Sequence, residues 1–299
     1  MKKIEISKFA IFFVLVLSQL LCPGQSISQD DFSFVFMTDI HITPVKHAPE
    51  GFSKAIKSVN TLAPDIVITG GDIVFDALRA DYGRADSLFS QYEGKLKEFN
   101  MPVYNTIGNH ENFGWFNKAI SPDNENYGKG MFRKRISNNY YAFDYKGWRF
   151  YIIDGVMKKD STHYKGQVNA EELEWLKNDL KNVDKNTPII ISTHIPFITV
   201  YNQVFYSTVK VNEDDLVVTN SKEVLDLFRG YNLKLVLQGH LHYFEDILVN
   251  NIHFVTGGAV SGAWWTGPHR DTQEGYVVVK IKNKQPEIQY NDFGWEPMK

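Results

Sequence analysis

The stretch that decides the fold is Asp65-Ile66-Val67-Ile68-Thr69-Gly70-Gly71-Asp72. Its run of apolar and β-favouring residues predicts a buried strand, which the two glycines stop. A carboxylate follows at once, at the carboxyl end of that strand, where open α/β sheets place their ligands. A strand ending in Gly-Asp is a common turn, so Asp72 alone carries little weight. Repetition supplies the weight, because four more strand ends deliver Asp, Asn or His in the same way.

On the amino-terminal side, Phe32 to Thr38 reads as a strand closed by Asp39-Ile40-His41. Phe52, Ala55, Ile56 and Val59 then fall at helical spacing, and Pro64 breaks that helix before the Asp72 strand. Beyond Asp72, a second amphipathic helix runs through Ala85, Leu88, Phe89, Tyr92, Leu96 and Phe99. Pro102 to Thr106 is a third strand, ending in Gly108-Asn109-His110-Glu111. Alternation of strand and helix predicts parallel strands with right-handed crossovers.

The period is lost over residues 112–139, where Gly, Asn, Pro, aromatics and Arg133-Lys134-Arg135 mix. Unpatterned loops of that length are usually functional, so a cap beside the site is expected. Tyr140 to Tyr145 and Trp148 to Ile153 read as a hairpin turning at Lys146-Gly147. Asn169 and Glu172 form a capping pair for a helix through Leu173, Leu176 and Leu180. Pro188 to Ser192 is a buried strand ending at Thr193-His194. A second irregular stretch, 195–218, carries Tyr201, Phe205 and Tyr206. Asn220 and Glu223 open a helix through Val224, Leu225 and Phe228, and Lys234 to Gln238 is a strand ending in Gly239-His240-Leu241-His242. Antiparallel strands follow, with a turn at Asn250-Asn251 and a loop, 261–271, that holds Trp264 and Trp265. Over 30–299 the expectation is one α/β (α+β) domain of two packed sheets, with insertions at about 112–139 and 195–218.

Composition bounds the function. A chain of 299 residues with 43% hydrophobic and 22% charged residues is ordinary for a soluble globular protein. The net charge of −3 gives no basic footprint, so broad nucleic-acid binding is not expected. Lys2, Lys3 and Lys8 flank an apolar run, Phe9 to Leu21, that small residues follow. That is the order of a secretory signal peptide over residues 1–26, and the run is short for a membrane span. An exported protein, periplasmic or extracellular, is therefore expected, with no stable span in the mature chain. The alternatives are an uncleaved anchor or a lipoprotein at Cys22, for which Leu21 is a poor preceding residue. Cleavage takes away three lysines and one glutamate, lowering −3 to −5, and removes the only cysteine. The mature chain then has no disulfide to rely on.

The strand ends present Asp39, His41, Asp72, Asn109, His110, His194, His240 and His242, which include five of the nine histidines. Imidazole with carboxylate and amide oxygen suits Mn, Fe or Zn better than Ca or Mg. Two such ions about 3.5–4 Å apart can clamp the attacking and leaving oxygens of an in-line displacement.

The ordered set Asp39-x-His41, Gly71-Asp72, Gly108-Asn109-His110-Glu111, Thr193-His194 and Gly239-His240-x-His242 resembles the calcineurin-like metallophosphoesterases. The resemblance implies a two-sheet β-sandwich flanked by helices and a site for two divalent transition-metal ions. It implies that Asp39, His41 and His242 hold one ion, that Asn109, His194 and His240 hold the other, and that Asp72 bridges them. His110 matches the family's non-ligand histidine, which assists the leaving group. The implied reaction is hydrolysis of a phosphate ester by a hydroxide held between the metals. Ile107 and Phe75-Asp76-Ala77 stand where protein Ser/Thr phosphatases carry Arg and Asp-Arg-Gly, which argues against that branch. Phe75 also replaces the tyrosine ligand of purple acid phosphatases.

For substrate contacts, the basic residues within reach are Arg133 and Arg270, and the aromatic ones are Trp264 and Trp265. Aromatic faces with few fixed cations predict a small-molecule phosphodiester bearing an organic group. The alternatives are a phosphomonoesterase acting on a small organic phosphate, and an inactive scaffold of the same fold.

Overall fold

The computed structural model describes residues 31–297. The predicted signal peptide, 1–26, lies outside the described residues. The first half runs β1 (Phe32–Met37), α1 (Ala48–Leu62), β2 (Ile66–Thr69), α2 (Tyr82–Leu96) and β3 (Val103–Asn105). Helix α3 (Gly130–Arg135) precedes the hairpin β4 (Tyr141–Tyr145) and β5 (Trp148–Ile152), and a smaller hairpin, β6 (Val156–Lys158) and β7 (Tyr164–Gly166), comes next. The chain continues through α4 (Ala170–Leu180), β8 (Pro188–Ser192), α5 (Tyr201–Phe205), α6 (Ser221–Leu227) and β9 (Asn232–Gln238). It closes with β10 (Phe244–Val249), β11 (Ile252–Gly257), β12 (Gly275–Lys282) and β13 (Gln285–Asp292).

These strands form a five-stranded sheet, β13-β12-β1-β2-β3, and a six-stranded sheet, β10-β11-β9-β8-β5-β4. In the first, β1, β2 and β3 run parallel, as the alternating pattern requires. In the second, β5, β8, β9 and β11 run parallel, so β11 departs from the antiparallel ending expected from the sequence. Strand alternation assigns each residue its face. Phe34, Phe36, Ile66 and Ile68 join Phe150, Ile190, Leu235 and Val277 in one core cluster between the sheets. Val35, Met37 and Val67 face the other way, onto α1 and α2. Ile189 and Ile191 likewise turn from the sandwich to pack with Leu176, Leu180 and Val224 of α4 and α6. Four layers result, helices on sheet on sheet on helices, and both faces of the central strands are covered.

Two capping expectations divide. Asn169 does cap α4, accepting from Glu172 N at 2.9 Å. Glu172 does not reach back to close a capping box, because its Oε1 accepts from Asp154 N at 2.8 Å. Asn220 leaves the start of α6 uncapped and spends its amide on both backbone groups of Val168. Among the described residues no helix is long and apolar enough to cross a membrane.

Candidate metal centre

The carboxyl ends of β1, β2, β8 and β9 open on the same edge, and the loops after them carry the expected ligands. After β1 and β2 the backbones stay paired, with Asp39 N donating to Gly71 O at 3.1 Å and His41 N to Asp72 O at 2.8 Å. Those loops turn sharply. Asp39, His41, Asp72, His240 and His242 all have φ between 47° and 73°, the left-handed region that side chains disfavour. Strain of this kind persists only where the surroundings over-determine it. The third loop can lie against them because residue 108 has no side chain: a Cβ on Gly108 would strike Asp72 N and Oδ1.

Two groups of donor atoms result. In the first, His41 Nε2 and His242 Nε2 are 3.0 Å apart, and Asp39 Oδ1 is 3.3 Å from His242 Nε2 and 3.9 Å from His41 Nε2. In the second, His194 Nε2 lies 3.0 Å from Asn109 Oδ1 and 3.2 Å from His240 Nδ1. Asp72 stands between them, its Oδ2 3.7 Å from His41 Nε2 and 3.3 Å from His194 Nε2. Its other oxygen accepts from His110 N at 2.9 Å. One carboxylate oxygen therefore faces both groups.

The hydrogen bonds fix which atoms are free. A carbonyl can only accept, so His194 Nδ1 donates to Gly70 O at 2.8 Å and His242 Nδ1 donates to Gly262 O at 2.6 Å. In neutral imidazoles the lone pairs of both Nε2 atoms then point into the clusters. Around His194 Nε2, an amide oxygen and a carboxylate oxygen also converge, and three acceptors facing one another require a positive charge among them. The electrostatics around His194 and Asp39 make the same demand. Burial opposes charge on His194, yet the Asp72 carboxylate outweighs it and carries the imidazole up to about 9. Burial raises the Asp39 carboxyl, but His242 pulls it down to about 2. Burial and His194 together lower His240 to about 4. Asp39 Oδ1 is buried and without a hydrogen-bond partner. Ligand atoms 2.0–2.2 Å from one ion sit roughly 3–4 Å apart, depending on the angle between them, and both groups fall in that range. The residues fit two divalent ions.

Behind the ligands, Glu111 fastens the loops together. Its carboxylate accepts from Gly108 N at 2.6 Å, Asp72 N at 2.9 Å and Val74 N at 3.1 Å, and burial followed by the Asp72 charge pushes it up to about 8. His110 lies half-buried beside the cluster, its Nε2 3.8 Å from Asp72 Oδ2. Asp76 N donates to His110 Nδ1 at 3.0 Å, so the proton of the neutral ring sits on Nε2, on the cluster side.

The expected substrate contacts separate. Trp264 is 38% exposed, and its ring centroid lies 4.6 Å from that of His242 and 6.1 Å from that of His41. Trp265 is a correction. At 2% exposed it cannot reach a substrate, and its Nε1 donates to Ile40 O at 3.0 Å and His41 O at 3.2 Å from beneath. Arg133 is a second correction, because it lines a cleft with Tyr141, Arg149, Trp175 and Asp179 that contains none of the cluster residues. Arg270 follows His269, whose ring is 5.7 Å from that of His242, but its guanidinium is held by the hydroxyls of Tyr201 at 3.2 Å and Tyr206 at 2.9 Å. Three residues outside the predicted set also border the cluster. Phe75 approaches His41 and His110 at 6.1 and 6.2 Å between ring centroids, His269 faces Trp264, and Tyr164 of β7 meets His240 at 6.0 Å. Phe75 was legible from its motif; Tyr164 and His269 sit in stretches with no sequence signal.

The fold gathers paired groups of donors suited to metal ions, and comparison with known proteins names the family. The calcineurin-like phosphoesterase profile matches residues 32–244. The chain belongs to that family, whose members typically bind two metals, and it is a phosphoric ester hydrolase. It is 25% identical over 233 residues to a 3′,5′-cyclic-nucleotide phosphodiesterase of Nostoc, covering 75% of this chain and 76% of that one. It is 24% identical over 206 residues to purple acid phosphatase 15 of Arabidopsis thaliana, covering 61% of this chain and only 36% of the relative. A dimetal phosphatase from Danio rerio has the same fold, with a TM-score of 0.66 at 13% identity over 88% of this chain and 96% of that one.

Proposed function

We propose that this protein is a dinuclear metal-dependent phosphodiesterase. Asp39, His41 and His242 would hold one ion, Asn109, His194 and His240 the other, with Asp72 Oδ2 shared. When bound, such ions acidify water and neutralise charge on a phosphoryl group. The protein's own part is orientation and proton handling. His110 presents its Nε2 proton toward the cluster, in place to be donated to an alkoxide leaving group. Glu111 and Trp265 hold the ligand loops in their strained form, and Trp264 offers a face for the organic part of the ester.

The observation that carries the diester reading is the character of the mouth. Trp264 and Phe75 flank the imidazoles, while Arg270 is occupied by two tyrosines and Arg79 by Asp76 at 3.1 Å. A mouth lined by aromatic rings, with its nearby cations Arg270, Arg79 and Lys46 turned onto Tyr201 and Tyr206, Asp76 and the Trp264 carbonyl, suits a monoanion with a ring better than a monoester dianion. Similarity to cyclic-nucleotide phosphodiesterases of Nostoc and, as a probable one, Xenorhabdus bovienii supports the same choice. The similarity to purple acid phosphatase 15 favours a monoester, which is the second reading. Residues 1–26 would direct the chain out of the cytoplasm, a reading tested by the amino terminus of the mature protein. The deciding experiment compares kcat/KM for bis(p-nitrophenyl) phosphate and p-nitrophenyl phosphate at equal Mn loading. A higher value for the diester is expected; a clear monoester preference overturns the assignment.

A further inference from the structure

We propose that Tyr164 contacts the substrate, its hydroxyl donating to a non-bridging phosphoryl oxygen on the His240 side of the cluster. This rests on the phosphoesterase reading above and names a residue that none of the motifs contains. Tyr164 belongs to the β6–β7 hairpin, which is part of neither large sheet. The hairpin is clamped from both sides. From the 112–139 insertion, Lys129 Nζ donates to Val156 O at 2.7 Å and Lys158 reaches back to Tyr127 Oη at 2.6 Å. From the other insertion, Gly166 N donates to Asp214 O at 2.6 Å, and Gly166 O accepts from Thr219 N at 2.8 Å. The approach is close enough that any side chain at residue 166 would collide with the Val217 carbonyl. A hairpin of three-residue strands is marginal by itself, and these contacts fix it in place between the two insertions.

What the clamp delivers is one aromatic side chain. The Tyr164 ring stands edge-on to His240, at 6.0 Å and 81°. Its hydroxyl is in the field of Asp72, Asp215, Arg79 and Asp39. Among the described residues that hydroxyl makes no hydrogen bond within the protein, and its oxygen is not one of the buried unsatisfied atoms, so it is open to solvent or a ligand. A phenol is a donor at neutral pH, and one that no protein acceptor holds can exchange its water for a ligand oxygen. A phosphoryl oxygen lying over the cluster is such an acceptor. On the opposite side, Trp264 covers His242, so the two residues bracket the mouth, one polar and one apolar.

The test uses the full mature chain loaded with Mn, and inorganic phosphate as the probe. Tyr164→Phe keeps the ring and removes only the donor. Its phosphate Kd should rise about 10-fold, the effect of losing one hydrogen bond to a charged group, with metal content unchanged. Its kcat/KM for bis(p-nitrophenyl) phosphate should fall by a similar factor. Unaltered phosphate affinity would overturn the proposal. So would loss of metal from Tyr164→Phe, which would make Tyr164 a support for His240. Phosphate titration reads the contact even in a chain that turns over no ester, so failure here is distinct from failure of the phosphodiesterase reading.

Discussion

The floor of the cluster is held by short contacts onto backbone groups, whereas its rim, outside the backbone bonds at Gly166, is tied by a few long side chains. On the floor, Asp39 and His41 pair through the backbone with Gly71 and Asp72, and Glu111 alone gathers three amide protons. On the rim, Lys129 ties the first insertion to the buried Asp154, and Arg270 ties the last loop to Tyr201 and Tyr206. Trp264 and Trp265 show the contrast between chain neighbours, both with left-handed backbone, one over the donors and one beneath them. The lesson is one of tolerance. A floor fixed by backbone and strain has one arrangement that works, while a rim fixed by side chains can change without moving the donors.

The largest effect is expected where the floor's two halves share an atom. Asp72→Ala should strip metal from both groups and lower hydrolysis by roughly 10³-fold or more, the scale of losing a central electrostatic contact. Elemental analysis checks it, and a variant that retains two ions would break the claim that one carboxylate serves both groups.

A pair of substitutions sharpens the comparison at the tryptophans. Trp265→Phe removes the indole proton that Ile40 O and His41 O share, and should weaken metal binding at the His41 group about 10–100-fold, as loss of an outer-shell partner does. Trp264→Ala should leave metal affinity alone and raise KM for a ring-bearing diester up to about 10-fold. Metal titrations beside steady-state kinetics separate the two, and identical profiles would erase the floor–rim distinction.

The smallest effect on the cluster itself is expected at the anchor of the rim, where the readout is stability. Glu172 is buried against Asp154, one of its oxygens lacks a partner, and burial followed by the Asp154 charge raises its carboxyl well above 4.5. The folded chain thus holds a proton that the unfolded chain releases above pH 4.5. The resulting stability is full below pH 4.5 and declines as pH rises toward the folded value, by at most about 1.4 kcal/mol per unit. Denaturant titrations from pH 4.5 to 8 should show this slope in the wild type and a flatter one in Glu172→Gln. Equal slopes would mean that the anchor is ionised in the folded chain.

Much of the floor was legible in the sequence because each ligand is local to its strand end. An apolar run followed by Gly-Asp or by His-x-His encodes a strand and what lies at its end, and the turn needs no distant partner. The chain thereby determined the parallel β1, β2 and β3, the two-sheet layering and the side chains that the fold gathers into clusters able to hold a metal. The rim was not legible, since its parts meet only in three dimensions. Nothing in the residues around Tyr164 announces that two insertions press it against His240, and nothing in a Trp-Trp pair says which ring turns inward. Tertiary structure decided that Trp265 is a pin, that Arg133 opens on another cleft and that Arg270 is held by tyrosines. It also decided the left-handed backbone of five ligands and the tautomers of His110, His194 and His242, which depend on carbonyls and amides far away in the chain. Side-chain identity is written locally, whereas side-chain direction belongs to whatever the fold packs around it.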